Sequence, residues 1–323
     1  MEHREIRWGI IGLGAIAHEF AMGLKNSPSS KLYAVASRSL ETAQEFAMNY
    51  EAEKFYGNYA ELANDPEVDV IYIATPHIYH KENTLLSLEG GKHVLCEKPF
   101  AMNAEDAAIM VASAKEKGLF LMEAMWSRFF PLVIKLREII TEQRIGAITS
   151  IQSEFGFKAQ FDPDDRLFNK DLGGGALLDI GIYLVSYVHM LMGEPERIEA
   201  GADIGVTDVD ERCTIQLHYP GNAVARLFCS ITEERENEFK IIGTQGSIII
   251  SRPFWCPDRM VVEVKGKGLK EYKFEREGNG YNYEAEAVSQ AILNGEKEVS
   301  AMPLSESVAI LKIVDEIRKQ SLF

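Results

Sequence analysis

Apolar and polar positions alternate in two distinct ways along the chain. Over its first part, short runs that are apolar almost throughout are separated by segments with helical spacing, about 3.6 residues per turn. Residues 6–11, 32–36, 70–74, 93–96 and 119–122 read as strands, and 15–26, 40–50, 79–89 and 104–117 as the helices between them. Strands without a polar face are strands covered on both sides, which points to βαβ units and a parallel sheet. Gly90, Gly91 and Gly118 follow predicted helices, where a left-handed residue commonly ends the last turn.

Beyond Ala124 the period shortens to two. Residues 148–158, 212–219, 223–230 and 239–242 alternate as half-buried strands do, and Pro220-Gly221-Asn222 marks a hairpin. Three helical stretches, near 175–192, 283–293 and 304–319, accompany them. The expected fold is α/β: an N-terminal Rossmann domain with a doubly wound parallel sheet over 1–124, then a C-terminal α+β domain with a large, mostly antiparallel sheet over 125–323. The second domain is assigned to substrate binding and oligomerisation.

With 323 residues and 46% hydrophobic content the chain can bury a sizeable core. Its formal charge of -15 would repel a phosphate backbone, and no Lys/Arg run offsets it, so nucleic acid is not an expected partner. Cys96, Cys213, Cys229 and Cys256 are scattered in neither a zinc nor a disulfide pattern. The charged cluster Glu2-His3-Arg4-Glu5-Arg7 is followed by an apolar stretch broken by Gly9, Gly12 and Gly14, without a cleavage pattern. No apolar run looks long enough to span a bilayer. The reading is a soluble, unprocessed cytoplasmic protein with no membrane partner.

Gly12-Leu13-Gly14-Ala15-Ile16-Ala17 lies between the first strand and the first helix, the setting in which G-x-G-x-x-A carries a dinucleotide. Gly12 permits the tight turn, Gly14 leaves room for the pyrophosphate, and Ala17 lets helix and strand pack closely. The N–H groups around Ala15 and Ile16 face the phosphates at the positive end of the helix dipole. At the end of the second strand an NAD site would carry Asp or Glu, but here stand Ser37-Arg38-Ser39. Donors in place of a carboxylate favour a 2′-phosphate, so NADP(H) is the preferred cofactor and NAD(H) the alternative.

Two further segments carry reactive groups. Cys96-Glu97-Lys98-Pro99 closes a predicted strand at the sheet edge where ligands of doubly wound folds bind. Asp179 and Tyr183, four apart in a nearly all-apolar helix, share one face. A buried carboxylate without a partner is costly, so Asp179 must meet a cation or a substrate. From the helix alone, Tyr183 reads first as a core aromatic.

Taken together, the glycine-rich turn, Ala74-Thr75-Pro76, Glu97-Lys98-Pro99 and the segment Gly173-Gly174-Gly175-Ala176-Leu177-Leu178-Asp179-Ile180-Gly181-Ile182-Tyr183 resemble the Gfo/Idh/MocA family over essentially the whole chain. Through Glu123-Ala124-Met125-Trp126-Ser127-Arg128-Phe129-Phe130-Pro131 it is most similar to the branch of dimeric dihydrodiol dehydrogenases and NADP-dependent pentose dehydrogenases. The resemblance implies an oxidoreductase moving a hydride between NADP(H) and a hydroxyl or carbonyl carbon of a sugar, cyclic diol or dicarbonyl. It implies Lys98, Asp179 and Tyr183 as catalytic and substrate-binding residues, with Thr75, Pro76, Glu97, Lys98 and Pro99 also at the cofactor. It further implies a homodimer or higher oligomer built through an exposed face of the second sheet. Inositol dehydrogenase-like members carry His where this chain has Tyr183, which argues against inositol.

On that basis Tyr183 takes and returns the hydroxyl proton, Lys98 stabilises the developing negative oxygen, and Asp179 holds substrate hydroxyls or orients Lys98. His77 and His80 read as a loop lining the nicotinamide side, since HxxH without a third ligand is a weak metal pair, and no metal is expected. Trp126, Phe155 and Trp255 are candidates for an aromatic substrate wall. Arg128 reads first as half of a structural ion pair. The rival classes are a non-catalytic NADP-binding sensor or scaffold and a transferase or lyase with an internal redox cycle.

Overall fold

The computed structural model describes residues 4–321, so Glu2 and His3 of the N-terminal cluster lie outside the described residues. Six strands, β1 (Ile6–Ile11), β2 (Ser30–Ala36), β3 (Lys54–Tyr56), β4 (Val70–Ile73), β5 (His93–Glu97) and β6 (Leu121–Ala124), form one sheet in the order β3-β2-β1-β4-β5-β6. Every pairing in it is parallel. The order reverses between β1 and β4, and the crevice at such a switch point is where these folds take ligands. Helices α1 (Ala15–Leu24), α2 (Leu40–Tyr50), α3 (Tyr59–Ala63), α4 (His80–Glu89) and α5 (Ala104–Lys117) make the crossovers. Side-chain caps start three of them: Ser39, Asn58 and Asn103 accept from Thr42, Glu61 and Asp106 N–H at 3.3, 2.8 and 2.8 Å. Both β3, of three residues, and α3, of five, are absent from the sequence reading. Elements that short complete too little of a period to be recognised.

The second sheet has eight strands: β7 (Ile148–Gly156), β8 (Arg197–Ile204), β9 (Asp210–Tyr219), β10 (Ala223–Ser230), β11 (Phe239–Gly243), β12 (Gly246–Ile250), β13 (Arg259–Val264) and β14 (Gly268–Lys273), ordered β14-β13-β12-β11-β7-β10-β9-β8. Only β7 and β10 pair in parallel; the other neighbours are antiparallel. Along β9, Cys213, Ile215, Leu217 and Tyr219 are buried while the residues between them are not. The period-two pattern is therefore one core face and one outer face, and Ile242 and Ile249 are exposed. Helix α6 (Pro131–Thr141) was not expected from the sequence; α7 (Ile182–Met192) was.

The predicted helix over 175–192 differs in its first part. Leu177–Gly181 is a π-helical turn, and regular α-helix begins only at Ile182. Asp210 sits at its start and accepts from the Leu177 N–H at 2.6 Å, and burial pushes this carboxyl up to about 6. The run Lys170–Met192, with mean hydropathy 1.5, is long and apolar enough to cross a membrane, which corrects the expectation that none is. Its most apolar window is 78% buried inside the protein, as a core helix is.

Two helices end the chain, α8 (Tyr281–Leu293) and α9 (Leu304–Ser321). From α8, Ser289 accepts from Trp8 Nε1 at 3.1 Å, and Glu286 accepts from Ser27 Oγ, Ser29 N and Ser29 Oγ at 2.8, 3.0 and 2.9 Å. The chain accordingly forms two compact units: Met1–Phe129 with Arg276–Val308, and Phe130–Glu275 with Ala309–Phe323. The expected cut at 124/125 lies near the first break, but the units are not consecutive stretches. Bonds from α8 to the parallel sheet bring a late segment back to the first unit.

Candidate functional site

In the first unit, Gly12 has φ +85°, and a Cβ there would lie 2.9 Å from the Ala74 carbonyl oxygen and from Thr75 Cγ2. Only glycine makes this turn without moving β4's continuation. A Cβ on Gly14, in contrast, would meet nothing within 4 Å, so the start of α1 opens onto free space. Ala17 is fully buried behind it. Backbone donors at a helix start, with an open approach and no side chain in the way, fit a dinucleotide pyrophosphate. At the end of β2, Arg38 is exposed and Ser37 accepts from the Ser39 N–H at 3.3 Å, while the Ser39 hydroxyl caps α2. No carboxylate stands in Ser37-Arg38-Ser39 to repel a 2′-phosphate.

Lys98 follows the last residue of β5 and is held through its backbone. Its N–H donates to Glu97 Oε2 at 3.0 Å, and Glu97 Oε1 accepts a short bond from the Tyr72 hydroxyl. Glu97 thus points inward. Two residues on, the Phe100 N–H donates to Glu123 Oε1 at 3.1 Å. Burial pushes Glu123 up to about 7, against the opposing pull of Arg128 and of that N–H. On the other side His80, wholly buried, places Nδ1 2.8 Å from the Pro99 carbonyl and Nε2 2.9 Å from the Thr75 carbonyl. Asn83 adds a bond to Thr75 Oγ1 at 3.1 Å. Burial pulls His80 down to about 4. A neutral ring has one N–H, so it donates to one of those carbonyls at a time. The turn that carries Lys98 is braced from α4 and from β6.

Arg128 is fully buried and bonds Glu306 at 2.6 Å and the Ala301 carbonyl at 3.3 Å, a structural ion pair. Trp126 stacks on Tyr281, with centroids 4.3 Å apart and planes 4° from parallel. One turn along α8, Glu284 is buried with neither carboxyl oxygen hydrogen-bonded, and burial together with the nearby Glu97 pushes it well above the carboxylate range. Nothing in the local pattern of α8 marks that residue. His77 and His80 rings are 5.7 Å apart, and among the described residues no three His, Cys, Asp or Glu side chains group as a metal site.

In the second unit Asp179 lies in the π-helical turn and is buried, and Arg166 Nη1 meets its Oδ1 at 2.9 Å. The cation that burial demanded is Arg166. The sequence alone states the demand without saying which of 34 basic residues meets it. Tyr183, in the first turn of α7, is buried, with the Phe155 ring 5.8 Å away. Phe155 stacks on Trp255 at 3.8 Å, and Phe254 meets both edge-on. Of the predicted residues, the structure thus joins Tyr183, Phe155 and Trp255 in the second unit, while Trp126 and Lys98 belong to the first. All four cysteines are free and buried.

A parallel sheet with a switch point and a glycine turn that opens onto space define the class: an NAD(P)-binding Rossmann protein with a second, α+β unit attached. Residues 6–125 match the model of the oxidoreductase family with NAD-binding Rossmann fold, and 133–249 that of the GFO/IDH/MocA C-terminal domain. The chain is 41% identical to the trans-1,2-dihydrobenzene-1,2-diol dehydrogenase of Mus musculus, over 97% of this chain and 96% of the relative. Among solved structures it is similar to a 3-ketoreductase from Actinomadura kijaniata in complex with NADP and TDP-benzene, at 26% identity and TM-score 0.88, over 98% of both chains. It shares its fold with a levoglucosan dehydrogenase in complex with NADH and levoglucosan, at 23% identity and TM-score 0.89, over 98% of both chains. This chain belongs to the Gfo/Idh/MocA family and is an NAD(P)-dependent oxidoreductase.

Proposed function

We propose that the protein transfers a hydride between NADP(H), in preference to NAD(H), and a hydroxyl or carbonyl carbon of a small neutral sugar, cyclic diol or dicarbonyl. The observation that carries this is the cluster in the second unit: a buried Asp179 one turn from Tyr183, beside stacked Phe155 and Trp255. Polar groups that can hold hydroxyls next to flat apolar rings suit a cyclic polyol. The diol dehydrogenase relative supports the substrate class, and the ketoreductase that binds NADP supports the cofactor preference, as does Ser37-Arg38-Ser39.

The nicotinamide, when bound, accepts or supplies the hydride. Tyr183 holds and moves the proton at its hydroxyl: it removes it from the substrate during oxidation and returns it during reduction. Lys98, its backbone fixed by Glu97, stabilises negative charge on the substrate oxygen. Asp179 accepts from substrate hydroxyls. Glycines 12 and 14, Ala15, Ile16, Ala17, Ser37 and Arg38 bind the phosphates and ribose, and Thr75, Pro76, His77, His80, Glu97 and Pro99 shape the nicotinamide end. Phe155 and Trp255, stacked on each other, wall the substrate. The protein acts in the cytoplasm as a homodimer or higher oligomer, joined through the outer face of the second sheet, where Ile242 and Ile249 are exposed.

The test is an absorbance screen of NADP+ reduction with aldoses, inositols and trans-dihydrodiols, run beside NADPH oxidation with dicarbonyls. Stoichiometric cofactor turnover is expected with at least one polyol or dicarbonyl. Binding of NADPH without turnover on any of them would overturn the reading.

A further inference from the structure

The ion pair between Arg166 and Asp179 is lopsided. The Asp179 side chain is 6% exposed and the Arg166 side chain 49%. Water reaches the guanidinium but hardly reaches the carboxylate, so the negative charge depends on its partner far more than the positive charge does.

The backbone around the pair is built to bring the two together. The Gly175 N–H donates to the Leu167 carbonyl at 2.9 Å and the Gly174 N–H to the Asn169 carbonyl at 3.0 Å. A Cβ on Gly174 would lie 2.6 Å from the carbonyl oxygens of Arg166 and Leu167 and 2.9 Å from that of Asn169. Glycine at 174 is therefore what lets the 166–169 segment lie against the start of the helical turn that holds Asp179. Phe168 is buried and packs on Phe161 at 5.0 Å, and the Leu167 N–H donates to Asp165 Oδ1 at 2.8 Å. Arg166 is thus a half-exposed side chain on a pinned backbone, aimed inward.

Titratable groups around this turn include Asp210 from β9, which caps Leu177, Cys229 from β10, whose Sγ would lie 3.0 Å from a Cβ on Gly181, and Tyr183 from α7.

We infer that Arg166 is a positioning residue for the reaction: it keeps Asp179 ionised and fixed, so that this carboxylate can hold a hydroxyl of an uncharged polyol. The pair has no net charge, which suits neutral substrates. The inference rests on the reading that Asp179 faces the substrate.

Three variants, Arg166→Gln, Arg166→Lys and Asp179→Asn, test it with the hydroxyl substrate that the wild type oxidises fastest in the screen above. Each is assayed for thermal midpoint, NADPH binding by fluorescence, and kcat and KM across pH. Arg166→Gln is expected to keep its midpoint and NADPH affinity and to raise KM roughly ten- to hundredfold, the worth of a hydrogen bond to a charged group. The acid limb of kcat/KM should move to higher pH, because a carboxylate without its cation takes up a proton more readily. Arg166→Lys keeps the charge, so its limb should stay near that of the wild type with an intermediate KM.

Wild-type KM and an unmoved acid limb in Arg166→Gln, with KM raised in Asp179→Asn, would overturn the inference and leave the wider reading intact. A lysine variant as impaired as the glutamine variant would overturn the role of charge, and decides the matter if Arg166→Gln does not fold. Unchanged kinetics in Asp179→Asn, or no substrate at all in the screen, would remove both.

Discussion

The ring of Trp255 lies face to face with that of Phe155, 3.8 Å between centroids and 10° from parallel. Phe155 is buried, whereas Trp255 is only partly so, which leaves indole surface for a second flat partner. Replacing Trp255 with alanine should lower kcat/KM for a cyclic or aromatic trans-diol by roughly tenfold, combining lost ring stacking and lost apolar contact. A short open-chain aldose should lose much less. Steady-state kinetics on the two substrates checks this, and an equal loss on both would contradict an aromatic wall.

Tyr183 and Phe155 are 5.8 Å apart, so Tyr183→Phe keeps a ring in the same packing and removes only the hydroxyl. Turnover should fall by roughly two to four orders of magnitude, the usual worth of positioned acid/base catalysis, with NADPH affinity almost unchanged. Turnover and NADPH binding measured on the same folded variant decide it. Near-wild-type turnover would make Tyr183 a core tyrosine and nothing more.

At the other end of the cofactor site Arg38 is exposed, and the hydroxyl of Ser39 already caps α2. If NADP(H) is preferred as proposed, much of the selectivity for a 2′-phosphate falls to Arg38. Arg38→Ala should weaken NADP+ binding roughly ten- to hundredfold, as expected for a lost charge-assisted contact, and leave NAD+ nearly as it was. Titration of both cofactors tests this. Similar Kd values for the two cofactors in the wild type would sink the preference itself.

Glu123 offers a pH test independent of turnover. Its folded carboxyl is pushed up to about 7 from the usual value of 4.5. A raised acid favours folding while it is protonated, so its contribution is full below about 4.5 and is lost as pH rises through about 7. Glu123→Gln keeps an acceptor for the Phe100 N–H and cannot ionise. The thermal midpoint of the wild type should therefore fall more between pH 4.5 and 8 than that of the variant. Asp210 and Glu284 are raised in both proteins, so the difference between the two curves isolates Glu123. Parallel curves would place its ionisation elsewhere.

What consecutive residues dictate, the sequence by itself determined. The five longer strands of the parallel sheet, the glycine turn after β1 and four strands of the second sheet, β7, β9, β10 and β11, follow from side-chain period and from backbone limits, both local properties, whereas β8, β12, β13 and β14 were not read from the sequence. Burial of Asp179 was legible from the apolar run around it, and with burial came the need for a partner. The identity of that partner was not legible. Arg166 reaches Asp179 because glycine 174 lets a preceding segment fold back, and Arg128 finds Glu306, 178 residues on, because the chain returns to its first unit. The same return brings Glu284 near Glu97 and Tyr281 onto Trp126. Tertiary structure also decided that the helix carrying Asp179 begins with a π-helical turn. Ion pairs, ring stacks and shifted carboxyls depend on which distant segments meet in space, and the period of a single segment holds no record of that.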